Sequence, residues 1–589
     1  MSDEFGHEGA IMIKLFKRFE LKDWLLVLVI IGFVVGQVYC DVTLPDYTRD
    51  IVDEMTKPGA TTNSILSIGL IMLAYAAGSM ACTIVVGYFA AHLAGKFSKK
   101  LRSSVFEKVQ SFSFEETNKF SIPSLITRST NDIQQTQMAV MMILRFAISA
   151  PITAVWAILK INASSAQLTL ATAMWVVLLV AFLITLFLLV LPKFKLIQKL
   201  TDKLNGVTRE NLTGLRVVKA YNADKYQEEK FSKVNKDITK LHLFTSRIMG
   251  LMQPFMMLIM NGLTLTIYWF GASLINQGDL SLGSLMAFSN LTMQVLMAFM
   301  MLLMLLIMLP RAAVSARRVN EILDTKISVV DPKEEGVFEN KVGQVEFRNV
   351  CFRYPGAEEY VLKDISFKVD KGQTVAIIGS TGSGKSTLIN LVPRFYDATE
   401  GEILIDGLNI KNVKQETLRK KIGYVPQKGV LFFGTVNSNI SYGMEMIDSN
   451  KIIEAAEVAM ADEFINNMEE KFDSAISQGG KNVSGGQKQR LSIARAVAID
   501  PEIFIFDDSF SALDYKTDSM VRKNLKSYTK DATSLIVAQR IGTILDADMI
   551  IVLENGSMVG CGKHTDLIKT NEVYREIALS QLSMEELGL

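Results

Sequence analysis

The sequence predicts a membrane α-helical bundle of six transmembrane helices fused to an α/β phosphate-loop domain, and three observations carry that prediction. Apolar residues make up 49% of the 589 and crowd into long runs before about residue 310, as in a chain that crosses hydrocarbon repeatedly. The apolar strand Thr374-Val375-Ala376-Ile377-Ile378 runs directly into Gly379-Ser380-Thr381-Gly382-Ser383-Gly384-Lys385-Ser386-Thr387. Such a glycine-rich turn opens a helix whose backbone N–H groups and dipole gather phosphate oxygens, with the lysine neutralising the terminal phosphates. About a hundred residues later stands Val483-Ser484-Gly485-Gly486-Gln487.

The length exceeds one core and predicts two to four domains. Basic and acidic residues nearly cancel, 62 against 61, so no polyanion-binding surface is implied and nucleic acid is not an expected partner. Cys40, Cys82, Cys351 and Cys561 lie too far apart for a metal-ligand spacing or a dense disulfide framework and read as ordinary buried thiols.

Hydrophobic spans are predicted at Trp24 to Tyr39, Ile65 to Ala91, Met138 to Ile161, Leu168 to Leu191, Leu251 to Ile275 and Leu285 to Leu309. The first is short and interrupted by Gly32, Gly36 and Gln37; it ends in no small-residue cleavage site and reads as a retained anchor rather than a signal. Basic residues set the orientation. Lys96, Lys99, Lys100, Arg102, Lys108, Lys119 and Arg128 lie between spans two and three, and the segment from Lys193 to Arg247 is richer still, whereas Asp41 to Asn63 holds only Arg49 and Lys57. Both termini are therefore expected in the cytoplasm. The two inner loops keep helical spacing, as in Leu204, Val207, Asn211, Leu215 and Val218, so the membrane helices should continue into the cytosol. Ahead of span one, Ile11, Leu15, Phe16 and Phe19 share a helical face; residues 1–22 read as an interfacial helix, the alternative being a helix packed on its own protein.

Span six carries Met286, Met293, Met297, Met300, Met301, Met304 and Met308. Thioethers repack around ligands of different shape, which suits a promiscuous apolar cavity, and they equally serve helix packing or lipid contact. Asn261, Asn290 and Gln294 are either substrate contacts or interhelical hydrogen bonds. Asp41, at the outer end of span one, belongs either to an outer gate or to the headgroup layer.

After Leu309-Pro310 the sequence turns polar. The expected organisation is a membrane domain over 23–312, a linker over 313–336 and an α/β domain over 337–589, where short apolar strands alternate with helices.

The phosphate loop read with Ser484-Gly485-Gly486-Gln487 resembles the ATP-binding cassette (ABC) family, and the resemblance covers nearly the whole length, in the arrangement of ABC exporters. It implies ATP and Mg²⁺ as cofactors. It also implies that Tyr354, in Phe352-Arg353-Tyr354-Pro355, stacks on adenine, that Ser386, Gln427 and, through water, Asp507 reach the metal, and that Ser511-Ala512-Leu513-Asp514 crosses to a second nucleotide domain. Asp507 ends the buried strand Ile503-Phe504-Ile505-Phe506, where an uncompensated carboxylate would be costly. The family's inner loops carry short docking helices, matched at Thr130-Asn131-Asp132-Ile133 and at Thr213 to Tyr221; Pro123 stands near a position where many members have glycine.

Two departures are informative. Asp508 replaces the glutamate that polarises water, and Gln539, in Val537-Ala538-Gln539-Arg540, replaces the switch histidine. Losing one methylene withdraws the carboxylate by about an ångström, and glutamine cannot become cationic. Gln427, Asp508 and Gln539 thus form a weak catalytic set, while Val483, Ser484, Gly485, Gly486 and Gln487 form a sound signature for a partner's ATP. Gln478 replaces a further glutamate before the signature. The resemblance is closest to the degenerate-site subunit of bacterial heterodimeric multidrug exporters. It implies a second half-transporter chain, membrane lipids and a hydrophobic small molecule as partners, and a multi-pass place in the cell membrane. A lipid or peptide translocator is the alternative; a regulatory channel or a peptidase-bearing peptide exporter would carry added segments.

Overall fold

The computed structural model describes residues 19–338, 343–444 and 448–587, so most of the expected N-terminal interfacial helix lies outside the described residues. The chain divides into two compact units, Met1–Lys108 with Pro123–Asp324, and Val109–Ile122 with Thr325–Leu589.

In the first unit, six helices among the described residues are long and apolar enough to cross a membrane: Leu21–Met55, Thr62–Gln110, Ile122–Asn162, Ala166–Thr213, Asp224–Gln277 and Leu282–Asp324. The first is a 35-residue helix with Pro45 inside it, so Gly32, Gly36 and Gln37, which interrupt the apolar run, leave the helix unbroken, and the expected outer loop is helical as far as Met55. Gly36 of this helix and Gly78 of the second face cysteines across the helix pair, with room for a methyl group at each. A Cβ on Gly36 would lie 3.6 Å from Cys82 Sγ, and one on Gly78 would lie 3.6 Å from Cys40 Sγ. The second helix runs 49 residues, about 73 Å at 1.5 Å per residue, which is the predicted extension beyond the bilayer. The sixth helix packs on the first and third, and the fourth on the fifth. Gly262 of the fifth takes the ring of Trp175 where a Cβ would stand 2.4 Å from it, and the indole N–H donates to Thr266 at 3.1 Å. Of the thiols expected to be buried, Cys561 is exposed and the others are half-buried; all four are free.

The second unit is built on a ten-stranded sheet. Its parallel core runs Ile422–Val425, Ile503–Asp507, Thr533–Val537, Thr374–Gly379 and Met549–Glu554. Ile503–Asp507 is buried along its whole length, as expected where both faces of a parallel sheet are covered and the strand reads as an unbroken apolar run. Ser557–Gly562 pairs antiparallel with Met549–Glu554 and parallel with Leu362–Val369, beyond which Val345–Phe352, Glu400–Ile405 and Leu408–Asn409 continue the sheet antiparallel.

This unit also contains the short helix Phe114–Lys119. Ser113 and Glu116 close a reciprocal cap: Glu116 Oε2 accepts from the Ser113 N–H at 2.8 Å, and Ser113 Oγ accepts from the Glu115 N–H at 3.2 Å. The other oxygen of Glu116 accepts from the Ser328 N–H at 2.9 Å. Burial would raise the Glu116 pKa, but the hydrogen bonds from Ser113 and Ser328 outweigh it and hold the carboxyl below the usual range. Phe114 packs on Phe395 at 4.5 Å, and Asn118 donates to the Tyr396 hydroxyl at 3.0 Å. The docking helix of the first inner loop is therefore Phe114–Lys119, which corrects its assignment to Thr130–Ile133. The latter residues belong to the membrane unit, where Asp132 is buried and accepts from Ser315 Oγ of the sixth helix at 2.7 Å. Pro123 stands in the first turn of Ile122–Ser129, where its missing N–H leaves no helical bond unmade. In the second inner loop, Leu215–Ala220 is a separate short helix with Val218 buried.

Candidate functional site

The phosphate loop joins strand Thr374–Gly379 to helix Lys385–Leu391. Two of its glycines are demanded by space. A Cβ on Gly379 would stand 2.1 Å from Leu553 O; at Gly384, whose φ is +98°, it would stand 2.8 Å from a Leu362 methyl. Ser380, Thr381 and Gly382 form the exposed lip. Among the described residues Ser383 Oγ is buried without a hydrogen-bond partner, an orphaned donor of the kind that phosphate oxygens satisfy. Lys385 Nζ donates to Gly379 O at 2.8 Å and Ser380 O at 2.7 Å. Burial lowers its pKa, opposed by the charges of Asp508 and Asp507.

Asp507 and Asp508 end the central strand, each 7% exposed. Ser386 Oγ donates to Asp507 Oδ1 at 2.8 Å. Burial raises the pKa of Asp507, the Ser386 hydrogen bond lowers it, and the neighbouring Asp508 raises it further. Asp508 has φ +47°, a conformation aspartate tolerates better than most residues. Its N–H donates to Val537 O at 3.0 Å, and Ser511 Oγ donates to its carbonyl at 2.8 Å. Its Oδ2 accepts two side-chain amides, Gln539 Nε2 at 2.8 Å and Gln427 Nε2 at 3.2 Å. Burial raises its pKa and the Gln427 hydrogen bond lowers it. Lys385, Ser386, Asp507, Asp508, Gln427 and Gln539 are thus linked at one sheet end, where hard oxygen donors beside two under-neutralised carboxylates suit Mg²⁺.

Tyr354 donates to or accepts from Thr387 Oγ1 at 2.9 Å, and its ring stands edge-on to Phe352 and Tyr396 at 5.0 and 5.4 Å. Beside it opens a cavity of 480 Å³ lined by Arg353, Gly356, Tyr396, Thr399 and Glu115 among others. Sequence reasoning missed Asn118, Glu116 and Tyr396 in this neighbourhood. The pattern Ser113-Phe-Glu-Glu116 is a capping-box signature that would have found the helix.

The signature is built separately. Among the described residues no hydrogen bond joins Ser484–Gln487 to the phosphate loop. Ser484 caps helix Gly485–Ala498 and exchanges bonds with Gln487, while Val483 and Leu513 are buried in one apolar cluster. A Cβ on Gly486 would touch Ala512 O at 3.5 Å, and one on Gly485 would meet nothing within 4 Å. Asp514 caps helix Tyr515–Tyr528 through the Thr517 N–H. Gln478 is exposed in a short 3₁₀ turn.

Residues 26–299 match the ABC transporter transmembrane region and residues 362–511 match the ABC transporter family. An uncharacterised ABC transporter ATP-binding protein of Mycobacterium tuberculosis is 38% identical across 91% of this chain and 93% of its own. The chain is an ABC transporter. A fatty acid ABC transporter ATP-binding/permease protein of Mycobacterium bovis is 33% identical over 77% of this chain and 71% of its own. A bacterial Atm1-family ABC exporter solved with ATP bound superposes with a TM-score of 0.78 at 25% identity, over 95% of this chain and 98% of that one. This ABC transporter is therefore of the exporter arrangement, a multi-pass membrane protein that binds and hydrolyses ATP through a cytoplasmic domain.

Proposed function

We propose that the chain is one half of a heterodimeric exporter that moves hydrophobic or amphipathic compounds out of the cytoplasm or inner leaflet. Its own ATP site is weak and its signature serves the partner's. The observation that carries the reading is the double amide clamp on Asp508 Oδ2, from Gln539 and Gln427. A carboxylate that already holds two donors and is one methylene short is a poor acceptor for a proton from water.

In this reading Tyr354 would support the adenine base, residues 379–387 would cradle the phosphates, and Ser386 and Asp507 with Gln427 would hold Mg²⁺, which would supply charge to neutralise the phosphates. Lys385 leaves its own loop carbonyls for the terminal phosphate. The open surface over Ser484 and Gly485 leaves room for a second chain's nucleotide, and Ser511–Asp514 lies beside it. A lipid translocator is the second reading, favoured by the relative named for fatty acid transport.

The test compares the purified chain alone with the chain mixed with its partner, expected as a six-span cassette protein bearing glutamate and histidine at the positions of Asp508 and Gln539. Slow hydrolysis alone and substrate-stimulated hydrolysis in the mixture are expected; fast turnover by the chain alone refutes the reading.

A further inference from the structure

The turn that carries Gln539 is held from outside the nucleotide site. Strand Thr533–Val537 ends two residues before Gln539, and Arg540 leads into the short 3₁₀ turn Ile541–Thr543. Between these elements the Gln539 carbonyl and the Ile541 N–H find their partners in one side chain. Gln581 Nε2 donates to Gln539 O at 2.8 Å, and Gln581 Oε1 accepts from the Ile541 N–H at 2.8 Å. A carbonyl only accepts and an N–H only donates, so a single orientation of the Gln581 amide satisfies both. One primary amide thus supplies a donor and an acceptor across Arg540, as an adjacent strand would.

Gln581 is itself fixed by the chain on either side of it. It follows helix Glu572–Leu579, and its N–H donates to Ala578 O at 3.1 Å, a carbonyl that the Leu582 N–H also reaches at 3.0 Å. Ser583 and Glu586 close a further turn: the Ser583 N–H donates to Glu586 Oε2 at 2.9 Å, and the Glu586 N–H donates to Ser583 Oγ at 3.3 Å. Leu587 is buried in the apolar cluster that also holds Ile541, Ile544, Tyr574 and Ala578, with Leu582 packed against it. Residues 580–587 are therefore fastened to the switch turn twice, by packing at Leu582 and Leu587 and by hydrogen bonds at Gln581. Among the described residues Gln581 makes no hydrogen bond to the phosphate loop or to Asp508.

The residue so held is the closer of the two amide arms on Asp508, at 2.8 Å from Gln539 against 3.2 Å from Gln427. A glutamine side chain has much rotamer freedom to lose, so its amide stays on one oxygen only while the backbone beneath it is fixed. We propose that Gln581 is a positioning residue for ATP hydrolysis: by fixing the backbone at Gln539 and Ile541 it keeps the Gln539 amide on Asp508, and the segment 580–587 thereby holds this site in its weak arrangement. This deepens the weak-site reading and rests on it. Without Gln581 the turn keeps its anchor at Ile541, which is fully buried, and loses the tie on Gln539. Asp508 then regains an oxygen free to accept a proton from water for part of the time.

The experiment measures ATP hydrolysis by the full purified chain in phosphatidylcholine nanodiscs. Gln581→Met keeps the length of the side chain and removes its amide, and because Gln581 is exposed the apolar cluster is left as it is. Turnover is expected to rise about three- to fivefold, the weight of one exposed hydrogen bond, with KM for ATP unchanged. Damage to the fold would lower turnover instead, so the direction separates positioning from a structural role. In a Gln539→Ala chain the same substitution should bring no rise, since the amide it releases is gone. Hydrogen exchange over residues 538–545, which reads the Ile541 N–H, should quicken by a similar factor in Gln581→Met. A fall or no change in turnover in Gln581→Met would overturn the proposal, as would an equal rise in the Gln539→Ala chain or unchanged exchange at the switch turn. Fast turnover by the wild-type chain, with the rise still confined to chains that have Gln539, would keep Gln581 in its role and count against the weak site. Slow wild-type turnover that Gln581→Met leaves unchanged would do the opposite.

Discussion

The phosphate-loop face and the signature face of the ATPase unit are built in opposite ways. On the first, apart from the orphaned Ser383 hydroxyl, polar groups are bonded to one another: Lys385 to its own loop carbonyls, and both Gln427 and Gln539 to Asp508. On the second, Ser484 and Gln487 satisfy only the first turn of their helix, and Gly485 faces open space. A face that satisfies itself must break hydrogen bonds before it can act, whereas a face held only by its cap needs no rearrangement. In the heterodimer reading proposed above, the difference would leave catalysis to the site that the signature completes and regulation to the phosphate loop.

The hardest blow to that contrast is Gly485→Glu, which on the proposed reading puts a bulky anion where a partner's nucleotide approaches, beside Lys385→Ala, which on the same reading damages only the weak site. With a wild-type partner in inverted vesicles, ATP-dependent efflux should fall to background in the first and persist in part in the second. Equal losses, or the larger loss from Lys385→Ala, would mean that the two faces have been assigned the wrong way round. Next in size is the repair of the weak face. Asp508→Glu with Gln539→His removes one arm of the amide clamp and restores the missing methylene, and should raise turnover at this site by on the order of ten- to a hundredfold. No gain even with a sound partner signature would clear these two residues of blame. The smallest effect tests transmission rather than chemistry. Tyr396→Phe deletes the hydrogen bond from Asn118, worth about 1 kcal/mol, so the ratio of substrate moved to ATP hydrolysed should drop a few-fold while hydrolysis itself holds. A parallel fall in both would make Tyr396 merely structural.

Much of this was legible in the sequence because it rests on local chemistry. The phosphate loop, the two aspartates ending a buried strand and the extended membrane helices all follow from residue type and period. The docking helix was misplaced for a physical reason. Phe114–Lys119 has too few apolar residues to show a period; the capping box from Ser113 to Glu116 marks a helix there, but its docking role lies in partners more than two hundred positions away, Ser328 and Tyr396. The amide clamp on Asp508 was equally hidden, since Gln427 and Gln539 each come from separate loops and which way an amide turns is decided by neighbours remote in the chain.

The ATPase unit carries Val109–Ile122 as part of itself, with Glu116 stitched to Ser328 by a bond that neither segment makes alone. For anyone building chimaeras, the modular joint of this protein is not a single cut. An exchange made at Asp324 alone would transplant a motor without the fourteen-residue strap it folds around, leaving Ser328 and Tyr396 to meet a stranger's loop. A graft that moves both segments together should assemble where the single-cut version does not.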